Sequence, residues 1–148
     1  MKILVINPGG TSTKIAVFED EEELFKENIT HTGEDLKGFP HVFDQFGYRK
    51  DIILETLKKA GFEIRTFAAV AGRGGLMNPI PGGTYTVNSR MVEDLRGAIH
   101  GEHPSNLGAV LAKEIGDEIG ASSFVVDPVS VDELMPKARI SGISDLER

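Results

Sequence analysis

The chain begins with K-I-L-V-I-N-P-G-G-T-S-T-K at residues 2–14, where an apolar run meets a glycine-rich turn. Residues 2–6 predict a strand, because the short apolar run is bounded by Asn-Pro-Gly-Gly. Residues 13–18 predict a second strand, and residues 24–30 predict a third after an acidic turn. The opening therefore predicts a small antiparallel meander whose first hairpin carries the glycine pair.

The turn between the first two strands combines two glycines with three hydroxyl residues and a lysine. With no Cβ in the way, backbone N–H groups can approach phosphate oxygens closely, and the Thr, Ser and Lys side chains add donors. The stretch is not a Walker P-loop, since its lysine leads into a strand rather than a helix. A plain hairpin turn, in which glycine supplies a positive φ, is the alternative interpretation.

Beyond the meander, helical and extended patterns alternate along the chain. The spacing of apolar residues predicts helices at 39–61, at 89–98 with Ser89 as its cap, and from Ser105 or Asn106 to Gly120, with a weaker helix at 131–138. Strands are predicted at 67–71, 84–88 and 123–126, and residues 140–148 carry no predicted element. Alternation of this kind is typical of an α/β domain with helices covering a sheet.

The composition argues against a nucleic-acid-binding, secreted or membrane-spanning protein. The 148 residues carry 16 Lys and Arg against 23 Asp and Glu, a formal charge of −7, and no basic patch that would attract nucleic acid. Cysteine is absent, which is typical of a reducing compartment. The N-terminal apolar run is too short for a signal peptide, and no segment has the length needed to span a bilayer. We expect a cytoplasmic protein with no nucleic-acid or membrane partner.

Two charged residues stand where ligands bind in α/β sheets, at the carboxyl ends of predicted strands. Arg73 is surrounded by Gly72, Gly74 and Gly75, so its planar fork is free to bind a carboxylate or phosphate; a surface arginine in a flexible turn is the alternative. Asp127 follows the strand F-V-V, where it is either a site residue or a helix cap. The H-G-E-H cluster at residues 100–103 lacks the spacing of a metal site and indicates a solvated turn.

Five motifs in one order carry a resemblance that covers essentially the whole chain: N-P-G-G-T-S-T-K, A-G-R-G-G-L, P-I-P-G-G-T-Y-T-V-N, G-E-H-P-S-N-L-G-A and V-V-D-P-V-S-V-D-E. Together they resemble the N-terminal domain of butyrate kinases, in the acetate kinase group of the actin-like ATPase superfamily. The resemblance implies a ribonuclease-H-like α/β fold with a mixed sheet. It also implies reversible phosphoryl transfer between ATP and a short-chain carboxylate with Mg²⁺, giving ADP and an acyl phosphate.

The resemblance also implies a role for each matching residue. Arg73 would hold the carboxylate and the transferring phosphoryl group, and Asp127 would organise the centre of the site. Asn7 would help to order Mg²⁺ and phosphate. The phosphate-facing loop would comprise Asn7, Gly9, Gly10, Thr11, Ser12, Thr13 and Lys14. The acyl pocket would draw on Gly82, Gly83, Glu102, His103 and Asn106.

The chain departs from the family pattern in two ways. Gly10 stands where the family more usually has serine, which removes one hydroxyl donor from the loop. Residues 1–148 would also form the N-terminal domain alone, without the second, nucleotide-binding domain. We therefore expect an isolated chain that holds one wall of the site and is inactive, and a homo-oligomer only for the longer protein. The alternative is a non-catalytic module that keeps the fold and binds phosphate or another partner.

Overall fold

The computed structural model describes residues 1–143, 146 and 147. Residues 144, 145 and 148 of the predicted domain lie outside the described residues. The strands are β1 (Lys2–Pro8), β2 (Ser12–Glu19), β3 (Glu22–Thr30), β4 (Ala69–Arg73), β5 (Thr84–Thr86), β6 (Ser122–Val126), β7 (Ile140–Ile143) and β8 (Leu146–Glu147). The α-helices are α1 (Gly33–Leu36), α2 (Phe46–Lys59), α3 (Ser89–Arg96) and α4 (Asn106–Ile119).

Six strands form one mixed sheet in the order β3-β2-β1-β4-β6-β5, and β7 pairs with β8 separately. The first three strands are antiparallel neighbours, whereas β4 and β6 run parallel to β1. The predicted mixed sheet with an antiparallel first meander is therefore confirmed. Parallel pairing brings the carboxyl ends of β1, β4 and β6 to the same edge of the sheet.

Helices α2 and α4 cover one face of this sheet. Leu4, Ile6 and Val70 from the strands pack with Ile53 of α2 and Leu111 of α4, and all five side chains are fully buried. Alternate residues of the same strands, such as Val5 and Ala71, lie on the opposite face and are only half-buried. The sheet therefore has a sealed face under the helices and a more open face, on which side chains remain accessible.

The helix predicted at 39–61 is shorter than expected. A 3₁₀ turn at Val42–Gln45 precedes α2, and Pro40 disfavours helical geometry at Phe39, where the predicted helix was to begin. The short helix α1, whose N-cap Thr32 forms a capping box with Asp35, was not predicted. No helix among the described residues is long and apolar enough to cross a membrane.

The predicted helix at 131–138 is wrong. The structure has only a 3₁₀ turn at Pro136–Arg139, since Pro136 cannot donate to a preceding turn. Asp132 accepts hydrogen bonds from the Leu134 backbone and from Arg139, which replace helical contacts with local ones. Helix α3 is capped by the Asn88 side chain rather than by Ser89, and this ends the preceding strand at Thr86 instead of residue 88.

Candidate active site

A cleft of about 310 Å³ opens on the less covered face of the sheet, at the carboxyl ends of the central strands. Asn7 from β1, Arg73 from β4 and Asp127 after β6 line it together. The remaining walls are Val5, Ala71, Gly72 and Val126. The fold thus brings together three polar residues that are far apart in sequence, at the edge where α/β sheets bind ligands.

Arg73 is exposed at the end of β4, and its guanidinium makes no hydrogen bond or ion pair among the residues that the structure describes. Its backbone, by contrast, is tightly held. A Cβ built on Gly108 of α4 would lie 2.0 Å from the carbonyl oxygen of Arg73, and one built on Gly72 would lie 2.1 Å from the carbonyl oxygen of Gly108. The two glycines therefore let α4 pack closely against the end of β4. The backbone of Arg73 is fixed by this packing, while its guanidinium is unpaired among the described residues.

Asp127 is held in an unusual conformation. Its φ is +39°, in the left-handed region that non-glycine residues rarely adopt. Its Oδ1 accepts a hydrogen bond from the Gly83 N–H at 2.8 Å, and its own N–H donates to the Gly83 carbonyl at 3.1 Å. This pair of bonds compensates the conformational strain and fixes the carboxylate at the rim of the cleft.

The loop that carries Gly82 and Gly83 is closed by Glu133, a residue with no predicted role. Glu133 accepts a hydrogen bond from the Gly82 N–H at 2.9 Å, and the Asp132 N–H donates to the Ile80 carbonyl at 3.2 Å. Neither Gly82 nor Gly83 lines the cleft, and their predicted place in an acyl pocket stays a prediction. Their backbone instead orients Asp127.

The glycine-rich hairpin lies beside the cleft rather than in its lining. Gly9 N–H closes the turn on the Ser12 carbonyl at 2.7 Å, while the N–H groups of Gly10 and Thr11 have no acceptor within the described part of the chain. Lys14 pairs with Asn7 across β1 and β2, so both side chains share the open face. Open N–H groups and a lysine form a surface that suits an anion.

Thr13 corrects one expectation. Its side chain is fully buried on the helix-covered face, where its hydroxyl lies 2.8 Å from both the Nε2 of His31 and a guanidinium nitrogen of Arg49. The hydroxyl is therefore not available to a phosphate. Strand alternation explains the difference, because Thr13 lies opposite Pro8, on the other side of the sheet from Asn7.

His31 is a buried titratable residue that no sequence pattern indicated. Its Nδ1 lies 3.1 Å from the Tyr48 hydroxyl, opposite the contact with Thr13. Burial lowers the pKa of His31, the nearby Arg49 charge lowers it further, and Asp35 opposes both effects. The imidazole is thus held neutral beneath the hairpin.

Acidification should therefore destabilise the protein through His31. Because the pKa is lower in the folded state than the ordinary value of about 6.5, the unfolded chain binds the proton first, and stability falls as the pH drops below that value. Urea unfolding at about pH 7.5 and about pH 5.5 should show a larger loss for the wild type than for His31→Gln. Staying above about pH 5 avoids most of the titration of Asp35 and Asp132, whose pKa values are lowered by their hydrogen bonds. An equal loss in both proteins would contradict the assignment.

Three residues predicted for the acyl pocket have structural roles away from the cleft. Glu102 accepts from the Val42 N–H at 2.7 Å, and the Nδ1 of His103 lies 2.7 Å from the Ser105 hydroxyl. Asn106 is buried, accepts from the Leu76 N–H at 2.9 Å and donates to the Gly101 carbonyl at 2.9 Å. These contacts join neighbouring loops to the start of α4. None of the three lines the cleft, and their place in an acyl pocket stays a prediction.

Asn106→Ala is expected to lower the free energy of unfolding by about 1 to 3 kcal/mol, because it leaves the Leu76 N–H and the Gly101 carbonyl without partners. Asn28→Ala is a matched control, since Asn28 is exposed on β3 and should change stability by less than about 0.5 kcal/mol. Urea denaturation measures both. A loss of stability for Asn106→Ala as small as that for the control would show that these two hydrogen bonds contribute little to the free energy of unfolding.

The fold defines a class. The sheet with its antiparallel meander belongs to an α/β domain with the fold of acetate kinases. The crystal structure of acetate kinase from Porphyromonas gingivalis matches 97% of this chain with a TM-score of 0.59 at 14% identity. A propionate kinase from Francisella tularensis matches 97% with a TM-score of 0.53 at 15% identity. In each case the chain covers 41% of the solved protein.

Sequence similarity is much higher to a narrower group. The chain is 53% identical over 147 residues to a probable butyrate kinase of Clostridium botulinum, and 48% identical over 147 residues to butyrate kinase 1 of Clostridium acetobutylicum. Each alignment covers 99% of this chain and 41% of the relative. No protein-family model matches the chain. The resemblance to butyrate kinases is thereby confirmed as homology over nearly all of the chain, which spans less than half the length of these relatives.

Proposed function

We propose that this chain forms one wall of the active site of a short-chain carboxylate kinase of the butyrate kinase type. The enzyme would transfer a phosphoryl group reversibly between ATP and butyrate, or another short or branched fatty acid. One observation carries the proposal: Asn7, Arg73 and Asp127 meet in one cleft of a chain about half identical to butyrate kinases. The rest of the relatives' length would supply the nucleotide-binding wall, so residues 1–148 would act as the N-terminal domain.

Arg73 would bind the reacting groups. A carboxylate oxygen attacks the γ-phosphorus of ATP, a new phosphorus–oxygen bond forms, and the bond to the ADP oxygen breaks as ADP leaves. The planar fork of arginine matches carboxylate and phosphate oxygens and stabilises charge that spreads over the transferring group. The unpartnered guanidinium of Arg73 is available for this contact.

Asp127 would act as an organiser rather than as a base. A carboxylate substrate is ionised at neutral pH, so it needs no proton acceptor to become a nucleophile. The hydrogen bond from Gly83 fixes Oδ1 of Asp127, which orients the other carboxylate oxygen. In this position the carboxylate can orient Arg73 or a bound cation across the cleft.

The chain also offers ligands suited to Mg²⁺. No group of three or more His, Cys, Asp and Glu residues that could hold a metal occurs within residues 1–143, 146 and 147. The cleft does contain one amide, of Asn7, and one carboxylate, of Asp127. This fits Mg²⁺, which keeps several waters and binds through one or two carboxylates plus substrate phosphates. When bound, the ion would neutralise phosphate charge.

Acyl-phosphate formation tests the proposed function. The 148-residue chain, alone and joined to the remaining part of a Clostridium butyrate kinase, is supplied with ATP, Mg²⁺ and acetate, propionate, butyrate or isobutyrate, and the product is trapped as hydroxamate. We expect product from the extended protein and none from the isolated chain. A folded, ATP-binding extended protein that forms no product with any of the four acids would overturn the proposal. Cytoplasmic location and self-association of the longer protein remain part of the proposal.

A further inference from the structure

Arg49 is a buried cation directly behind the glycine-rich hairpin. It lies in α2, on the sealed face of the sheet, and its side chain is 0% exposed. Sequence patterns gave no reason to select it, because it is one polar residue among many in a helix. Arginine is almost never fully buried unless its charge is paired, so the position calls for an explanation.

The guanidinium is fully satisfied, but only by neutral groups. Gln45 Oε1 accepts from Nε at 3.0 Å and from Nη2 at 2.8 Å. The Thr13 hydroxyl and the Ser12 carbonyl accept from Nη1 at 2.8 and 3.2 Å, and the Gly10 carbonyl accepts from Nη2 at 3.2 Å. None of the ion pairs among the described residues includes Arg49. The positive charge is therefore held in place without a counter-ion.

This arrangement has a geometric consequence for the hairpin. The C=O of one residue and the N–H of the next point in opposite directions, because the peptide unit is planar and trans. Since the Gly10 carbonyl is directed at Arg49, the Thr11 N–H must point away from it. The N–H groups of Gly10 and Thr11 have no acceptor among the described residues. Arg49 thus holds the turn from its core side, while the Thr11 N–H points away from the guanidinium.

The charge has an electrostatic consequence. Burial lowers the pKa of Arg49, because the charged form loses hydration, and Tyr48 opposes this effect. Bringing an anion to the open side of the turn would partly offset this cost, since Coulomb attraction is stronger in a medium of low dielectric constant than in water. Replacing an uncompensated buried cation by a neutral residue would remove that attraction.

We propose that Arg49 is a positioning residue for phosphate binding: it fixes the turn at residues 9–12 from the core side and places an uncompensated positive charge behind the open N–H groups. The proposal rests on the proposed function only in taking this turn to face a phosphate group. Arg49 touches no substrate in this arrangement, because the hairpin lies between it and the ligand.

The test measures binding of inorganic pyrophosphate to the 148-residue chain, followed by the amide resonances of Gly10, Thr11 and Ser12. Arg49→Met removes both the hydrogen bonds from the guanidinium to the turn and the positive charge. Gln45→Glu keeps the hydrogen bonds but supplies a counter-ion to Arg49. Arg65→Met is the control, since it changes the net charge by the same amount at an exposed site with no ion pair among the described residues.

We expect Arg49→Met to weaken pyrophosphate binding by about tenfold or more, because it removes both the bonds that fix the turn and a nearby positive charge. We expect Gln45→Glu to weaken it by about fivefold with unchanged or higher thermal stability, since a bidentate Arg–carboxylate pair replaces a neutral contact. Arg65→Met should stay within about twofold, because exposed charges are screened. Gln45→Glu neutralises the charge of Arg49 while keeping its hydrogen bonds to the fold. It therefore tests the effect of the charge on binding even if Arg49→Met does not fold.

Wild-type affinity in folded Gln45→Glu would overturn the electrostatic part of the proposal, and wild-type affinity in folded Arg49→Met would overturn all of it. If the wild-type chain shows no pyrophosphate-dependent shift at these amides, the turn is not a phosphate site and the inference fails. The proposed function is judged separately, by acyl-phosphate formation, so the two failures are distinguishable.

Discussion

Replacing Arg73 with alanine in the extended protein should lower kcat/KM for acyl-phosphate formation by about 10³- to 10⁵-fold, the range known for one arginine aimed at a transferring phosphoryl group. The guanidinium is exposed and lies in the cleft with Asn7 and Asp127. It makes no hydrogen bond or ion pair within the described residues that its loss would break, so the variant should fold normally.

Two matched variants define what Arg73 contributes. Arg73→Lys keeps a positive charge but loses the planar fork, so most of the deficit should remain if two-pronged recognition matters. Arg65→Ala removes an exposed arginine elsewhere and should leave kcat/KM within about twofold. Steady-state kinetics of the three purified variants, each checked by circular dichroism, provide the comparison. Near-normal turnover of folded Arg73→Ala would remove this residue from the proposed mechanism.

Gly108→Ala should destabilise the fold by about 3 kcal/mol or more, at the upper end of what overpacking a core costs. The added methyl group would lie 2.0 Å from the Arg73 carbonyl oxygen, which is backbone and cannot rotate aside. Helix α4 or strand β4 must then move, and both belong to the buried core around Leu111 and Val70. The shift would also displace the end of β4 that carries Arg73.

Gly47→Ala is the control for this prediction. Gly47 also lies in a helix, α2, but nothing lies within 4 Å of the Cβ it would gain. Relief of glycine's low helix propensity should stabilise the protein by about 0.5 to 1 kcal/mol. Thermal unfolding should therefore shift in opposite directions for the same substitution at the two positions. A Gly108→Ala protein as stable as the wild type would show that α4 does not press on the strand end.

Part of the site could be predicted from local sequence. Arg73 and Asp127 follow predicted strands, and ligands bind at the carboxyl ends of strands in sheets of this kind, so their place at the cleft follows from a general rule. The antiparallel meander could also be predicted, because two short apolar runs flank a glycine-rich turn. The rule needs only the order of strands and not the packing between them.

The rest depends on contacts between distant segments. Thr13 and Ser12 look equivalent in sequence, yet strand alternation turns the Thr13 side chain towards Arg49, more than thirty positions later in the chain. The spacing of Gly72 and Gly108 in the sequence predicts no contact between them. Their role is to let helix α4 approach strand β4 closely. Pairings of this kind are set by tertiary packing, which single-sequence propensities do not encode.

The backbone at Asp127 has a consequence for how this chain could evolve. A left-handed φ of +39° is one that glycine adopts freely and aspartate adopts under strain. Selection for folding alone would therefore tolerate glycine at this position, at the loss of the bond from the Gly83 N–H, whereas selection for a carboxylate in the cleft would oppose it. In a lineage without the proposed phosphoryl transfer, position 127 is where we would look first for replacement of aspartate by glycine.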